Sequence, residues 1–361
     1  MQMSEMGNIS ALITRIENRL ADELSKDLFH ARLKNMIYRN VDELRNDILD
    51  IAEKYSWEWE VYQMDRMCES FSGIKGIVIF GSGVNGKYIY RLFKGSKYRN
   101  IPILFCDNNK EIWGKKVLGC DVISPEELRV TYSDCICVIG SSKYRQGIME
   151  QLLQEGFPNK NILYPYIGLL FGIVGWQYFD YLTPEDNEIF VDGGVYDGGT
   201  SGDFVKWANG KYQAIYGFEA NPYCIDRCKK YYNINGIYNV EFVEKCMWNE
   251  RTKMSFSSNH SGASRISDVG NIVVEADTID NVLGGRRVTF IKLDIEGAEY
   301  YALLGAERTI KKYRPRMALS VYHKPQDIIE LPALLLEFDD SYRFALRQYS
   351  STADETVLYV Y

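Results

Sequence analysis

Histidine is scarce in this chain, with three in 361 residues. Eight cysteines occur, but none in the paired C-x-x-C spacing of a zinc site. A Cys/His metal centre therefore has little to draw on. Cys135 and Cys137 share one face of an expected strand, and Cys224 and Cys228 lie one helical turn apart. They read as reduced thiols of a cytoplasmic protein. No charged n-region followed by an apolar h-region opens the chain, so no secretory signal is expected. The longest apolar run, Ile167 to Trp176, is too short to cross a bilayer and reads as a buried segment near a domain junction. Positive charge is not in excess. The net charge of -7 gives no bulk attraction to nucleic acid or anionic membrane. A Walker A loop ending in G-K-[ST] is also missing.

What remains is ordinary for a globular protein, 46% hydrophobic and 25% charged, and long enough for two domains. Tyrosine is abundant at 27 residues, as suits a surface that handles sugars or simply a well-filled core. Residues 1–72 place Ile, Leu and Phe at spacings of three and four between charges, which predicts a helical segment without evident chemistry. From 73 to 165 short apolar runs alternate with helical stretches, "GIVIF", "IPILFCDNN" and "DCICVIGSS" among them. That is the βαβ signature of a small parallel Rossmann-like α/β domain. The pattern restarts over 166–361. Six strands are expected there, with "NIVVEADTID" the fourth and "RPRMALSVYH" the sixth, before a terminal antiparallel pair, "YRFALRQYS" and "ETVLYVY".

Two glycine-rich loops follow strands. In the first, Gly81, Gly83 and Gly86 fit G-x-G-x-x-G before a helix, and Asp107 ends the next strand, where it would meet ribose hydroxyls. Such a loop brings phosphate to the backbone N–H groups of a helix N-terminus. It would bind a nucleotide, a nucleotide sugar or NAD, or serve only as scaffold. No Tyr-x-x-x-Lys relay follows this unit, which weakens the dehydrogenase alternative. The segment Gly114 to Leu128 resembles part of the N-terminal domains of bacterial sugar acyltransferases and of several methyltransferases.

The second loop, "FVDGGVYDGGTS", fits D-x-G-x-x-x-G through Asp192, Gly194 and Gly198. S-adenosylmethionine (SAM) carries no phosphate, so it needs no deep phosphate nest. An acid at the strand end would meet its amino group, and glycines let the backbone pass close. Glu219 ends the next strand, where two carboxylate oxygens would accept both O–H groups of a ribose. Asp294 ends a later strand, followed by Glu296 and Glu299. Strand ends on one edge of a parallel sheet converge on a ligand crevice.

The ordered set "FVDGGVYDGGTS", "YGFEANP", "KLDIEGAE" and "ALSVYHKPQDI" resembles the FkbM family of SAM-dependent methyltransferases, over about residues 166–361. The resemblance implies a seven-stranded Rossmann-like sheet whose last pair is antiparallel, and methyl transfer to a hydroxyl of a sugar, glycan or nucleotide sugar. It implies SAM contacts at Asp192, Gly194, Gly198 and Glu219, an adenine edge at Lys245 and Cys246, and a place near the transferred methyl for Asp294. One departure is "DGGV", where members often have "DVGA".

An aliphatic hydroxyl must lose its proton in the transfer. His323, after the "ALSVY" strand, is the candidate base; otherwise it is a structural histidine on a backbone carbonyl. Asp294, Glu296, Glu299 and His323 would alternatively hold a divalent cation, and Asp294 would alternatively cap the next helix. The polar stretch Ser258 to Ser267, with His260 and Arg265, reads as an acceptor loop or a plain surface loop. The expectation is a cytoplasmic O-methyltransferase of polysaccharide biosynthesis, with the first domain gripping a nucleotide or joining a homodimer. The alternatives are an NAD-dependent nucleotide-sugar oxidoreductase or epimerase using Gly81–Gly86, and a non-catalytic scaffold.

Overall fold

A computed structural model of the protein describes residues 3–69, 71, 73–141, 144–163, 177–179, 181–258, 265–266, 270–350 and 353–361. The apolar run Ile167–Trp176 and His260 lie outside the described residues, and Arg265 is described in its backbone only. The chain forms two compact units, residues 1–48 with 172–361, and residues 49–171. The expected helical segment 1–72 is thus divided between them, inside the helix Val41–Cys68.

The unit 49–171 is a six-stranded sheet with its centre at Ile77–Phe80, flanked by Ile103–Cys106 and Ile136–Ile139. These pairings are parallel, and every residue of Ile77–Phe80 is buried, as expected for a strand covered on both faces. Gly81, at φ +109, turns the chain into the helix Val84–Gly95.

The other unit holds a seven-stranded sheet in the order Phe344–Gln348, Thr356–Val360, Arg316–Ser320, Phe290–Leu293, Glu188–Gly193, Tyr212–Phe218, Val240–Val243. The five strands from Arg316–Ser320 to Val240–Val243 pair in parallel, and Thr356–Val360 runs antiparallel to both its neighbours. The chain begins this sheet at Glu188–Gly193, moves outward to Val240–Val243, and returns on the other side with Phe290–Leu293. The order therefore reverses between Gly193 and Leu293, and a crevice opens there.

The apolar strand Ile272–Asp277 is formed but lies elsewhere. It joins Cys246–Met247, Thr252–Ser257 and Arg265–Ile266 in a separate four-stranded sheet. The "RPRMALS" strand is consequently the fifth of the main sheet. Alternation in a sequence identifies a strand but not the partner it pairs with.

The core beneath the crevice is aromatic. Phe190 stacks on Phe204 with centroids 4.3 Å apart, and Phe179 packs edge-on against Phe190. Local signals set the helices. Asn221 accepts from Tyr223 N and Pro222 occupies the first turn, so the helix Pro222–Asn235 starts directly after Glu219–Asn221, and Gly236 ends it at φ +64.

The N-terminal helices pack on the far edge of this sheet. Leu20 forms a parallel bridge with Phe344, and Asp22 caps the helix Glu23–Tyr38 while pairing with Arg347 at 2.7 Å. Buried Arg32 donates to Gln348, Thr356 and the carbonyl of Ala353.

Candidate active site

Gly193 and Leu293 are in register across the switch point, so the residues after each strand enter the same crevice. Gly194 stands at φ +79, and a Cβ there would lie 2.1 Å from the carbonyl oxygen of Asp294. Only glycine lets the two strand ends approach this closely. A cavity of about 240 Å³ opens beside them. Glu219, Lys245 and Cys246 line one end; Asp294 stands at the middle of the sheet edge; Glu296, Tyr322 and Glu355 also line it. The apolar surfaces of Phe218, Met247, Phe256 and Ile266 complete the wall near Glu219.

Glu219 is fixed by backbone. Its Oε2 accepts from Tyr196 N at 3.0 Å and its Oε1 from Asn221 N at 2.7 Å. Burial pushes its carboxyl up, and these N–H groups and Lys292 only partly offset that. Each oxygen keeps a further lone pair with which to accept from a ligand O–H. Lys245 pairs with Asp277 at 2.8 Å, and burial lifts the Cys246 thiol to about 12, so this cysteine is inert.

Asp294 accepts two phenols, Tyr178 at Oδ2 (2.8 Å) and Tyr322 at Oδ1 (3.1 Å). Burial raises its pKa, but the charges of Lys292 and His323 outweigh burial and hold the carboxyl below its usual value. Asp294 does not cap a helix: Ala298 precedes the helix Glu299–Leu304 without a side-chain cap.

The expected SAM contacts separate into two groups. Gly194, Glu219, Lys245, Cys246 and Asp294 line the cavity. Asp192 does not. It is fully buried, accepting from Lys292 Nζ at 3.2 Å and from Ser201 Oγ at 2.6 Å. Lys292 also donates to the carbonyls of Gly193 and Gly194, so Asp192 acts on the loop through this lysine. Gly198 is the positive-φ turn before the helix Gly199–Trp207, and a Cβ there would meet the Tyr232 ring at 2.8 Å.

His323 lies behind Asp294 rather than on the cavity wall. Its Nδ1 is 2.9 Å from Glu299 Oε1, and its Nε2 is 3.5 Å from Asp294 and 3.9 Å from Glu296. Burial opposes its charge, but the bond to Glu299 and the surrounding carboxylates lift it to about 9. At neutral pH it is an imidazolium. Asp294, Glu299 and His323 bring one donor atom each within 4.8 Å of one another. A divalent cation there would have to displace the imidazolium proton.

In the unit 49–171, Asp107 is engaged with the glycine loop and with its own turn. Its Oδ2 accepts from Ser82 N and Oγ, at 2.9 and 2.7 Å, and its Oδ1 accepts from Asn109 N. A Cβ at Gly86 would lie 1.8 Å from the Gly81 carbonyl, whereas Gly83 has open space. Here the glycine spacing serves helix-to-strand packing at Gly86.

Sequence reasoning missed Tyr178, Tyr322 and Glu355. Tyr178 lies outside every quoted stretch; Glu355 opens the quoted "ETVLYVY", but only sheet pairing brings it to the crevice. Tyr322 adjoins His323 and was within reach of the same argument.

Residues 192–346 match the family model described as "Methyltransferase FkbM domain", and residues 73–163 match "C2185-like, N-terminal". The second match lends no support to an acyltransferase likeness. No curated protein matches the chain significantly. Among solved structures, a methyltransferase FkbM from Methylobacillus flagellatus KT is 16% identical at TM-score 0.45, over 88% of this chain and 99% of that one. An rRNA methylase from Streptococcus thermophilus is 14% identical at TM-score 0.33, over 49% of this chain and 87% of its own. A Streptococcus mutans methyltransferase-type protein, in complex with SAH, is 10% identical at TM-score 0.31, over 49% and 90%.

Proposed function

We propose that the methyltransferase FkbM domain at residues 192–346 transfers the methyl group of SAM to a hydroxyl of a sugar-type acceptor. One observation carries this reading: a single cavity spans the sheet edge from Glu219 to Glu355, with Asp294 at the switch point between them.

The residues fit the cofactor. Glu219 would take the ribose diol, and the apolar wall near Cys246 and Met247 would take the adenine. Glu219, Asp294, Glu296 and Glu355 give this cavity an acidic lining, and the lining cation Lys245 is committed to Asp277. Such a lining favours a ligand bearing sulfonium and ammonium charge. When bound, SAM supplies an electrophilic methyl carbon on a positive sulfur.

The chain's own groups do the rest. Lys292 holds the Gly193–Gly194 backbone through two carbonyls, which fixes the width of the crevice. Tyr178 and Tyr322 orient Asp294, and His323 behind it keeps it ionised. A fixed anion at that position stabilises positive charge near the reacting centre. Glu296, Glu355 and Tyr322 offer acceptors for several O–H donors, the pattern that suits a polyol. Positioning of the acceptor oxygen then supplies a large part of the rate.

Calorimetric titration with S-adenosylhomocysteine tests the reading, with NAD and a UDP-sugar run in parallel. Micromolar binding of S-adenosylhomocysteine that weakens more than about 10-fold in Glu219→Ala supports it. Binding of NAD or the UDP-sugar alone would move the active site to Gly81–Gly86.

A further inference from the structure

Methyl transfer to a hydroxyl releases a proton, and the cavity must contain a group that takes it. Each of the carboxylates on the wall has a different environment. Both oxygens of Glu219 are tied to backbone N–H groups at the end proposed above for the ribose. Both oxygens of Asp294 accept phenols, and its pKa is held down, so it is a poor base. Glu296 faces the His323 imidazolium at 3.9 Å. His323 itself is off the wall and carries its proton.

Glu355 differs. It lines the cavity just before the strand Thr356–Val360, which three strands separate from the Tyr212–Phe218 strand that leads to Glu219. Gln177 Nε2 donates to its Oε2 at 2.5 Å, and among the described residues no donor sits on Oε1. Its backbone stands at φ +64, a conformation costly for glutamate. Tyr196 and Glu296, at φ +55 each, line the same cavity. Strain of this kind collects where geometry is held for function. Glu355 is also held from behind. Arg32, from the helix Glu23–Tyr38, donates to Thr356 next to it and to Ala353.

We propose that Glu355 is the catalytic base of the methyl transfer, with Gln177 and Arg32 as its positioning residues. The inference rests on the methyltransferase reading above. The acceptor O–H bond breaks toward Glu355 Oε1, which takes the proton. The oxygen's electron pair forms the new C–O bond while the C–S bond breaks and its pair stays on sulfur. A sulfonium and a carboxylate thus become a thioether and a carboxylic acid, and the acid then gives its proton to solvent.

The pH profile separates Glu355 from His323. Burial raises the Glu355 carboxyl above the ordinary glutamate value, with Asp294 and Asp354 adding to it and the Gln177 hydrogen bond and His323 opposing. The phenols of Tyr178 and Tyr322 also face this charge, and both are driven far above their usual range by burial, so they stay neutral. A base must be deprotonated, so the rate climbs with pH through its pKa and then levels. If His323 were the base the climb would centre at about 9. With Glu355 the climb follows that carboxyl instead, and it moves when Glu355→Asp changes the base.

The experiment measures S-adenosylhomocysteine formation from SAM by the full chain, with water alone and with a panel of UDP-glucose, GDP-mannose and methyl rhamnoside. Wild type, Glu355→Gln and Glu355→Gly are compared, with S-adenosylhomocysteine binding measured in each. Glycine accepts φ +64 without strain, so Glu355→Gly keeps the fold. Retained binding with at least about 100-fold slower turnover in both variants, and partial recovery in Glu355→Asp, is the expected result. Unchanged turnover in either variant, or a limb at about 9 that Glu355→Asp leaves in place, overturns the assignment. Wild type that binds S-adenosylhomocysteine but forms none from SAM, even with water, also overturns it. Wild type that binds no S-adenosylhomocysteine instead overturns the cofactor reading beneath it.

Discussion

Lys292 reaches from one central strand to Asp192 on the next, Nζ to Oδ1 at 3.2 Å, with the side chains 1% and 0% exposed. The pair is isolated from water and sits directly below the glycine turn that shapes the cavity. Removing one partner leaves a buried charge without its counter-ion. Lys292→Met is therefore expected to destabilise this unit by about 3–5 kcal/mol, read by urea denaturation. Adding Asp192→Asn to it should recover part of the loss. A loss in the double variant equal to the sum of the Lys292→Met and Asp192→Asn losses would show that the pair is not coupled.

The two glycine loops should respond oppositely to a single methyl group. Gly194→Ala brings a Cβ to 2.1 Å from the Asp294 carbonyl oxygen at φ +79. We expect a lower Tm and at least about 10-fold weaker S-adenosylhomocysteine binding, since the crevice must widen. Gly83→Ala meets no atom within 4 Å. Its cost should be about 1 kcal/mol or less, with binding unchanged. Thermal melts and titrations of both variants check the contrast.

His323 should impose a pH dependence on stability. Its folded pKa of about 9 lies above the ordinary 6.5, so the folded state binds the proton more tightly. That stabilisation is fully present below pH 6.5 and is lost as pH rises through about 9. The scale is about 3 kcal/mol. Asp327 acts in the same direction at lower pH, because burial and the Glu299 charge raise it from 3.8 to about 7. Melts between pH 6 and 10 should show a falling Tm that flattens in His323→Gln. A slope unchanged by that substitution would mean that His323 is not the source.

Arg32→Met should uncouple binding from transfer. The substitution removes the ties to Ala353 and Thr356 but leaves the Glu219 end of the cavity untouched. We expect a stability loss of about 2 kcal/mol from the orphaned buried acceptors, unchanged S-adenosylhomocysteine affinity and slower transfer. Equal losses of affinity and rate would place Arg32's effect on the whole unit.

Much of this was legible in the residues because it depends on local patterns. Apolar runs and glycine turns marked the strands of both sheets, and the acids Glu219 and Asp294 were found by their place at strand ends. Sequence order alone carried those inferences, since parallel strands must put such ends on one edge. It could not reveal that Asp192 turns inward to Lys292, because which side of the backbone a strand-end side chain takes is settled by packing. Nor could it separate Ile272–Asp277 from the main sheet.

The sequence by itself determined the α/β class, the two glycine-rich turns and the acids that follow the strands. Each is fixed by hydrophobic period or backbone freedom within a few residues. Only the tertiary structure decided what those acids do. Lys292, more than ninety residues after the loop, neutralises Asp192; a ring of carboxylates turns His323 into a fixed cation; and an antiparallel strand with an N-terminal arginine carries Glu355 into the cavity. Charge states and cavity walls depend on neighbours distant in the chain, and those distances close only when the sheet pairs.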